Sequence, residues 1–360
     1  KDRLTVLTSL VVCAVLFPTC HLMNCGGCIC ERHQIPVVHV ICATLLLFIH
    51  RALFWTVNVL FDGPMLITLL ECIVTSCVCA FRLRASRFSL WECVRKGLRT
   101  AMSEHSLSLK LPVFFALMIT FNNMCLYYLD LPVYFVARSF SPLFNVILFY
   151  RMLKDRRLLL ILPGIALIIV GYIITMVEEN TINLLIAEGV ILGVLSSLFV
   201  EFYTLETNKL PDKTPEVYLK QVYVNNVCGV ILLLVGAFAT SELTELQFLP
   251  IAPTLDTLVF WSLLVLGCIC AAIVGGVVLE EINSYPSFHR QMLGLVRSVL
   301  QTIAAVFIFF VYTTKLWWVG VLLVAIGTAL YIVGQRKHEE TAAYSSTKAP
   351  VSQLPLLVSD

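Results

Sequence analysis

The chain has 360 residues, 59% of them hydrophobic and only 13% charged, against about 25% charged in a soluble domain. That balance excludes a soluble enzyme and a basic nucleic-acid binder, and it requires a polytopic membrane protein set in a lipid bilayer. The net charge of +2 is too small to name a partner, so the placement of the charges carries the information.

Leu4–Met23 is apolar, follows Lys1 and Arg3, and is broken by Pro18. Three readings stay open for it: a signal-like segment, an extra span, or a tail foreign to the gene. Cys20, Cys25, Cys28 and Cys30 come next, with His21 and His33 nearby. Cys25-Gly-Gly-Cys28 has metal-ligand spacing but lacks a second pair, so no metal is expected. Most of the other cysteines fall in apolar spans, where a thiol behaves as a small hydrophobe. Residues 1–35 are therefore set apart from the body of the chain.

Apolar stretches then recur, each near the roughly 20 residues that cross a bilayer. They are Pro36–His50, Pro64–Phe81, Leu111–Leu129, Pro132–Leu153 and Leu158–Val177, then Ala187–Leu205, Tyr218–Thr240, Leu255–Leu279, His289–Tyr312 and Leu316–Val333. Ten transmembrane helices are expected in an all-α domain covering 36–335, with 336–360 as a tail. Ala52–Phe61 either extends the first helix or lies in the interface.

The links fix orientation. Those after spans 2, 4 and 6 hold Arg82, Arg84, Arg87, Arg95, Lys96, Arg99 and Lys110, then Lys154, Arg156 and Arg157, then Lys209, Lys213 and Lys220. The tail begins Arg336-Lys337, whereas the alternate links are acidic. The excess of Lys and Arg on cytosolic loops places the even links and the tail in the cytosol.

Val136-Ala137-Arg138-Ser139 in span 4 is echoed five spans later by Leu295-Val296-Arg297-Ser298 in span 9. Five is odd, so two five-helix halves would be inverted relative to each other, the sequence sign of an alternating-access carrier. Both copies carry an arginine deep in apolar sequence. Such a charge costs roughly 2.5–3.5 kcal/mol on insertion scales and normally faces a cavity or a partner. No acidic residue lies one turn away in either helix. Guanidinium forks bind phosphate oxygens bidentately and stay charged, so the pair reads as a clamp for a phosphate or diphosphate. Snorkelling, or bonding to helix-end carbonyls, is the competing account.

Asn225-Asn226 in span 7 point about 100° apart around a helix. An amide offers donor and acceptor together, which suits a nucleobase edge; an interhelical hydrogen bond suits it equally. In span 9, Gly294, Arg297 and Gln301 align on one face, and the glycine permits close approach. Asn122-Asn123 and Asn145 read first as bonds between helices, and Glu280-Glu281 as a solvated helix end.

These residues resemble the nucleotide-sugar transporter family of the drug/metabolite transporter superfamily, and within it the GDP-fucose transporters. The resemblance runs from Ile119-Thr120-Phe121-Asn122-Asn123 through Arg138-Ser139 and Phe144-Asn145-Val146 to Leu153-Lys154. Tyr223-Val224-Asn225-Asn226 is similar to a motif associated with guanine recognition. Ser284, Pro286, Ser287, His289, Gly294, Arg297, Gln301 and Thr302 are similar to the family's span 9, with Arg297 in place of a diphosphate-binding lysine. Val224 stands where the family has an aromatic residue, and His50-Arg51 where it has Asn-Lys. The resemblance implies an antiporter without cofactor or catalytic residues, exchanging a GDP-sugar for GMP in the Golgi membrane, with the endoplasmic reticulum as alternative. It implies substrate contacts from Arg138, Tyr223, Asn225, Asn226, Gly294, Arg297 and Gln301, with Asn122, Asn145, His50 and Arg51 as secondary candidates. A homodimer is compatible with it. The rivals are a carrier for another nucleotide-sugar or a sugar phosphate, and a regulator that binds nucleotide-sugar without moving it. An enzyme lacks its carboxylates: there is no Asp-x-Asp pair and no His-x4-Asp.

Overall fold

The computed structural model describes residues 31–57, 63–83, 110–138, 140–150, 162–178, 184–210, 214–248, 255–285, 287–309 and 314–347. The N-terminal cysteines and the Leu4–Met23 segment lie outside them. The described residues form eleven α-helices and one 3-10 helix. The α-helices are α1 Glu31–Val57, α2 Pro64–Arg82, α3 Lys110–Tyr128, α4 Leu131–Arg138, α5 Ser141–Tyr150 and α6 Leu162–Glu178. They continue with α7 Leu184–Asn208, α8 Pro215–Ala239, α9 Leu255–Ser284, α10 Ser287–Phe309 and α11 Lys315–Thr347; the 3-10 helix is Glu242–Phe248.

Eight of these are long and apolar enough to cross a membrane; α6 is apolar but shorter. Span 4, expected as one helix, is instead divided into α4 and α5. The physical reason is Pro142. Its ring nitrogen cannot donate to the carbonyl of Arg138 four residues earlier, and it disfavours helical geometry in the residue before it. The apolar Ala52–Phe61 stretch resolves in part: α1 continues to Val57. α11 runs well past the expected end at Val333.

Helix ends are closed by side chains from elsewhere. Gly63 precedes α2 without a side-chain cap, and Pro64 opens it. Its orphan N–H groups at Met65 and Leu66 donate to the Glu242 carboxylate, at 3.0 and 3.4 Å. The carboxylate thus sits where the positive end of the helix dipole favours it. Arg290 donates to the carbonyls of Ile282 and Tyr285, at 2.5 and 2.8 Å, closing α9. Arg51 donates to the Leu126 and Leu129 carbonyls, at 3.4 and 3.1 Å, and pairs with Asp130, closing α3.

α6 packs along α11, α3 along α7, α8 along α2, and α9 along α1; α4 meets both α7 and α10. The α6–α11 seam is the tightest approach. A Cβ at Gly164 would lie 2.7 Å from the Gly327 carbonyl oxygen, and one at Gly171 would lie 2.6 Å from that of Gly320. Small residues let backbones meet in this way where lipid offers no hydrophobic drive between helices. Ile49, Leu53, Leu126, Leu129 and Leu131 centre the larger buried cluster. Leu111, Tyr203, Tyr223, Val224 and Leu279 centre the second.

Candidate functional site

Arg138 is the last residue of α4, where the helix stops for lack of a donor from Pro142. The donor comes from another helix. Ser197 Oγ on α7 lies 3.1 Å from the Arg138 carbonyl oxygen and 3.0 Å from that of Gly193, so its one proton is shared. Gly193 makes this approach feasible: a Cβ there would sit 2.8 Å from both Ala137 Cβ and Cys125 Sγ. The Arg138 guanidinium donates to Asn122 Oδ1 and to Tyr134 Oη, the latter at 3.1 Å. Tyr134 also donates to Asn122 Oδ1 at 2.7 Å, and its ring centroid is 5.9 Å from the guanidinium carbon. The amide of Asn122 donates to Asn123, which donates to Thr68 at 2.5 Å. Every one of these partners is neutral, so they hold the cation in place without cancelling its charge.

Arg297 lies on α10, the helix packed against α4, and the charge of Arg138 acts on it. Its Nη1 is 3.2 Å from His39 Nε2 on α1. The other ring nitrogen, His39 Nδ1, bonds Glu281 on α9. A carboxylate facing Nδ1 accepts its proton, which leaves Nε2 as the acceptor for Arg297. Glu281, expected as a solvated helix end, is instead 5% exposed and paired; α9 reaches back over α1 and buries it. One turn on, Gln301 Nε2 donates to Thr44 Oγ1 at 3.0 Å. Around Gly294, on the same face, an added Cβ would meet nothing within 4 Å.

The structure thus places Asn122 on α3, Arg138 on α4 and Gly294, Arg297 and Gln301 on α10, with α4 packed against α10. Among the described residues no hydrogen bond joins Asn225 or Asn226 to this group. Asn225, 1% exposed, accepts from Gln221 at 2.8 Å and donates to Tyr203 Oη on α7 at 3.1 Å. Asn226 donates back to the Val222 carbonyl at 2.8 Å. Tyr223 is buried in the second core cluster. The amides diverge as their helical offset requires, one toward a neighbouring helix and one along its own.

The secondary candidates divide likewise. Asn145 donates to Glu201 at 2.7 Å and accepts from Tyr331 at 2.9 Å; Ser141 also donates to Glu201. His50 Nε2 is 2.5 Å from Glu71 Oε1, with both side chains buried. Arg51 closes the end of α3. Arg51 and Arg290 are therefore the arginines bonded to helix-end carbonyls, whereas Arg138 and Arg297 bond side chains.

Sequence reasoning missed His39, Tyr134 and Glu201. A signal existed for Glu201, an acid inside an apolar span. Tyr134 sits one turn before Arg138 on the same face. Only the fold brings His39 to Arg297, which lies 258 residues away.

No protein-family model matches the chain. A Caenorhabditis elegans protein named GDP-fucose transporter is 28% identical over 319 residues, 88% of this chain and 86% of that protein. The Mus musculus GDP-fucose transporter 1 is 29% identical over 296 residues, 79% of this chain and 78% of its own. A Drosophila melanogaster protein named GDP-fucose transporter, Golgi, is 27% identical over 293 residues, 81% of this chain and 86% of its own. This chain is accordingly a homologue of proteins named GDP-fucose transporters, and nucleotide-sugar transporters are the family it resembles in sequence.

Proposed function

We propose that the protein exchanges a cytosolic GDP-sugar, foremost GDP-fucose, for luminal GMP across the Golgi membrane. The names of its relatives support the substrate class, and the Drosophila name supports the compartment. The observation that carries the reading is that Arg138 and Arg297 stand on two helices packed against each other, where the charge of one acts on the other. Two like charges set side by side in apolar surroundings repel, and an anion between them turns that repulsion into attraction. In this reading the arginines hold the phosphates, while Asn225 and Asn226, freed from Tyr203 and Val222, read guanine.

The architecture in this reading is a carrier domain at 36–335 of ten spans, two inverted five-helix halves, flanked by the segments 1–35 and 336–360. The packing supports it. Counting α4 and α5 as one span, exchange of each span for the one five further on turns the α3–α7 contact into α9–α1 and the α4–α7 contact into α10–α1. The α2–α8, α6–α11 and α4–α10 contacts map onto themselves. Arg138 and Arg297 are equivalent under this exchange, and their helices α4 and α10 meet where carriers of this plan place their ligands. The halves then rock about the bound ligand, which must bind both states to promote the switch.

Two measurements test this. In vesicles carrying the purified protein and preloaded with GMP, uptake of labelled GDP-fucose should be competed by GDP and not by UDP. Asn225→Ala or Asn226→Ala should weaken GMP and GDP-sugar binding alike, since both ligands share the base. Equal competition by UDP would move the substrate to another class. For the orientation, a tag placed after Arg336 should be digested by protease added to intact Golgi vesicles; its protection would reverse the topology.

A further inference from the structure

We propose that His39, held by Glu281 beside Arg297, is a third ligand of the substrate phosphate and takes up a proton as the nucleotide binds. This rests on the reading of Arg138 and Arg297 as phosphate ligands. Among the described residues α9, α10 and α3 pack on α1, and α2 meets it through Glu71, which bonds His50. The charges that act on the imidazole are Glu281 from α9 and Arg297 from α10, while Arg138 and Tyr134 on α4 act on Arg297 in turn. α3 brings no charge to it.

With Nδ1–H committed to Glu281, the basic position is Nε2, the atom 3.2 Å from the Arg297 guanidinium. A phosphate oxygen drawn to Arg297 therefore also faces Nε2. The ring then lies between two anions, the carboxylate and the phosphate, and that setting favours the imidazolium. As the phosphate takes the Arg297 donor, Nε2 is released and picks up a proton from the solvent; the new Nε2–H donates to a phosphate oxygen, and the proton returns to the solvent when the nucleotide leaves. Glu281 does not touch the ligand; it holds Nδ1–H and so orients the ring, as a carboxylate does for a ligating histidine. Because His39 and Glu281 come from opposite halves of the chain, the proton is gained at the seam along which the halves move.

The test is titration calorimetry of the full chain with GDP-fucose near neutral pH, in buffers of different ionisation enthalpy. The diester diphosphate of a GDP-sugar carries no proton that titrates near neutrality, so any uptake belongs to the protein. Wild type should show net proton uptake on binding. His39→Gln should abolish it and weaken binding roughly tenfold or more, the scale of one hydrogen bond to a charged group. Glu281→Gln, which keeps the shape of the side chain, should shift the uptake to lower pH; a purely structural Glu281 would leave that profile in place. Absence of uptake in wild type overturns the proposal even if His39→Gln fails to fold, and so does uptake that persists in His39→Gln. If Arg138→Ala and Arg297→Ala lose binding while no uptake is seen, His39 is excluded and the clamp stands. Normal GDP-fucose binding by the double arginine variant removes the site reading itself.

Discussion

The double variant Arg138→Ala, Arg297→Ala is expected to fold, insert, and lose its stabilisation by GMP. Each guanidinium offers charge-assisted hydrogen bonds, and loss of one such bond costs about 1.5–3 kcal/mol, or roughly ten- to a hundredfold in affinity. The two sites act on one another and on one ligand, so the losses will not simply add. Arg138→Lys should be the more harmful exchange, because Nη1 alone serves both Asn122 Oδ1 and Tyr134 Oη and leaves the other nitrogens of the planar guanidinium for a phosphate, whereas one ammonium would have to serve all of them. Arg297→Lys should keep part of the activity, since His39 is a single partner that a point charge can also satisfy. The readout is thermal shift of purified protein with GMP, scored per folded molecule. Unchanged GMP stabilisation of the double variant would reject the phosphate clamp.

The second large effect concerns the α6–α11 seam. A Cβ at Gly327 would sit 2.7 Å from the Gly164 carbonyl oxygen and 2.8 Å from Ile168 N; one at Gly164 would sit 2.7 Å from both Gly327 O and Tyr331 N. These neighbours are backbone, so no rotamer change relieves the clash and the helices must separate. Overpacking of this kind costs about 1–3 kcal/mol. Gly327→Ala should therefore lower the thermal midpoint clearly, and Gly164→Ala together with Gly327→Ala should cost less than the two separately, because one separation relieves both. Gly276 is the control: an added Cβ there meets nothing within 4 Å. Equal stability of Gly327→Ala and Gly276→Ala would show that the seam tolerates separation.

The spans were legible because length and apolarity alone identify them, and Pro64 and Leu184 stand close to the expected starts. The division of span 4 was not read, although Pro142 announces it. Both pieces are mostly apolar, and hydropathy is blind to a missing donor. Arg138 and Arg297 were legible as candidates because a charge in an apolar span is costly wherever it points. Their surroundings were legible only in part: Asn122 is the tie between helices that the sequence suggests, with the arginine and Tyr134 of α4 as its partners, whereas Glu281 looked like a helix end and proves to be buried. Such roles depend on which helices lie side by side, and span periodicity does not order helices in the plane of a membrane. Asn225 was read as a base contact with an interhelical bond as the rival, and the bond to Tyr203 is present in the structure.

The hydroxyl of Ser197 has a meaning for how this sequence can change. Proline at 142 leaves the carbonyl of Arg138 without its own helix's donor, and a residue 59 positions away supplies one. In a bilayer an unsatisfied carbonyl costs several kcal/mol. Proline at one position and a small hydroxylic residue at the other thus form a single unit of inheritance: serine can be lost without penalty only after proline has gone.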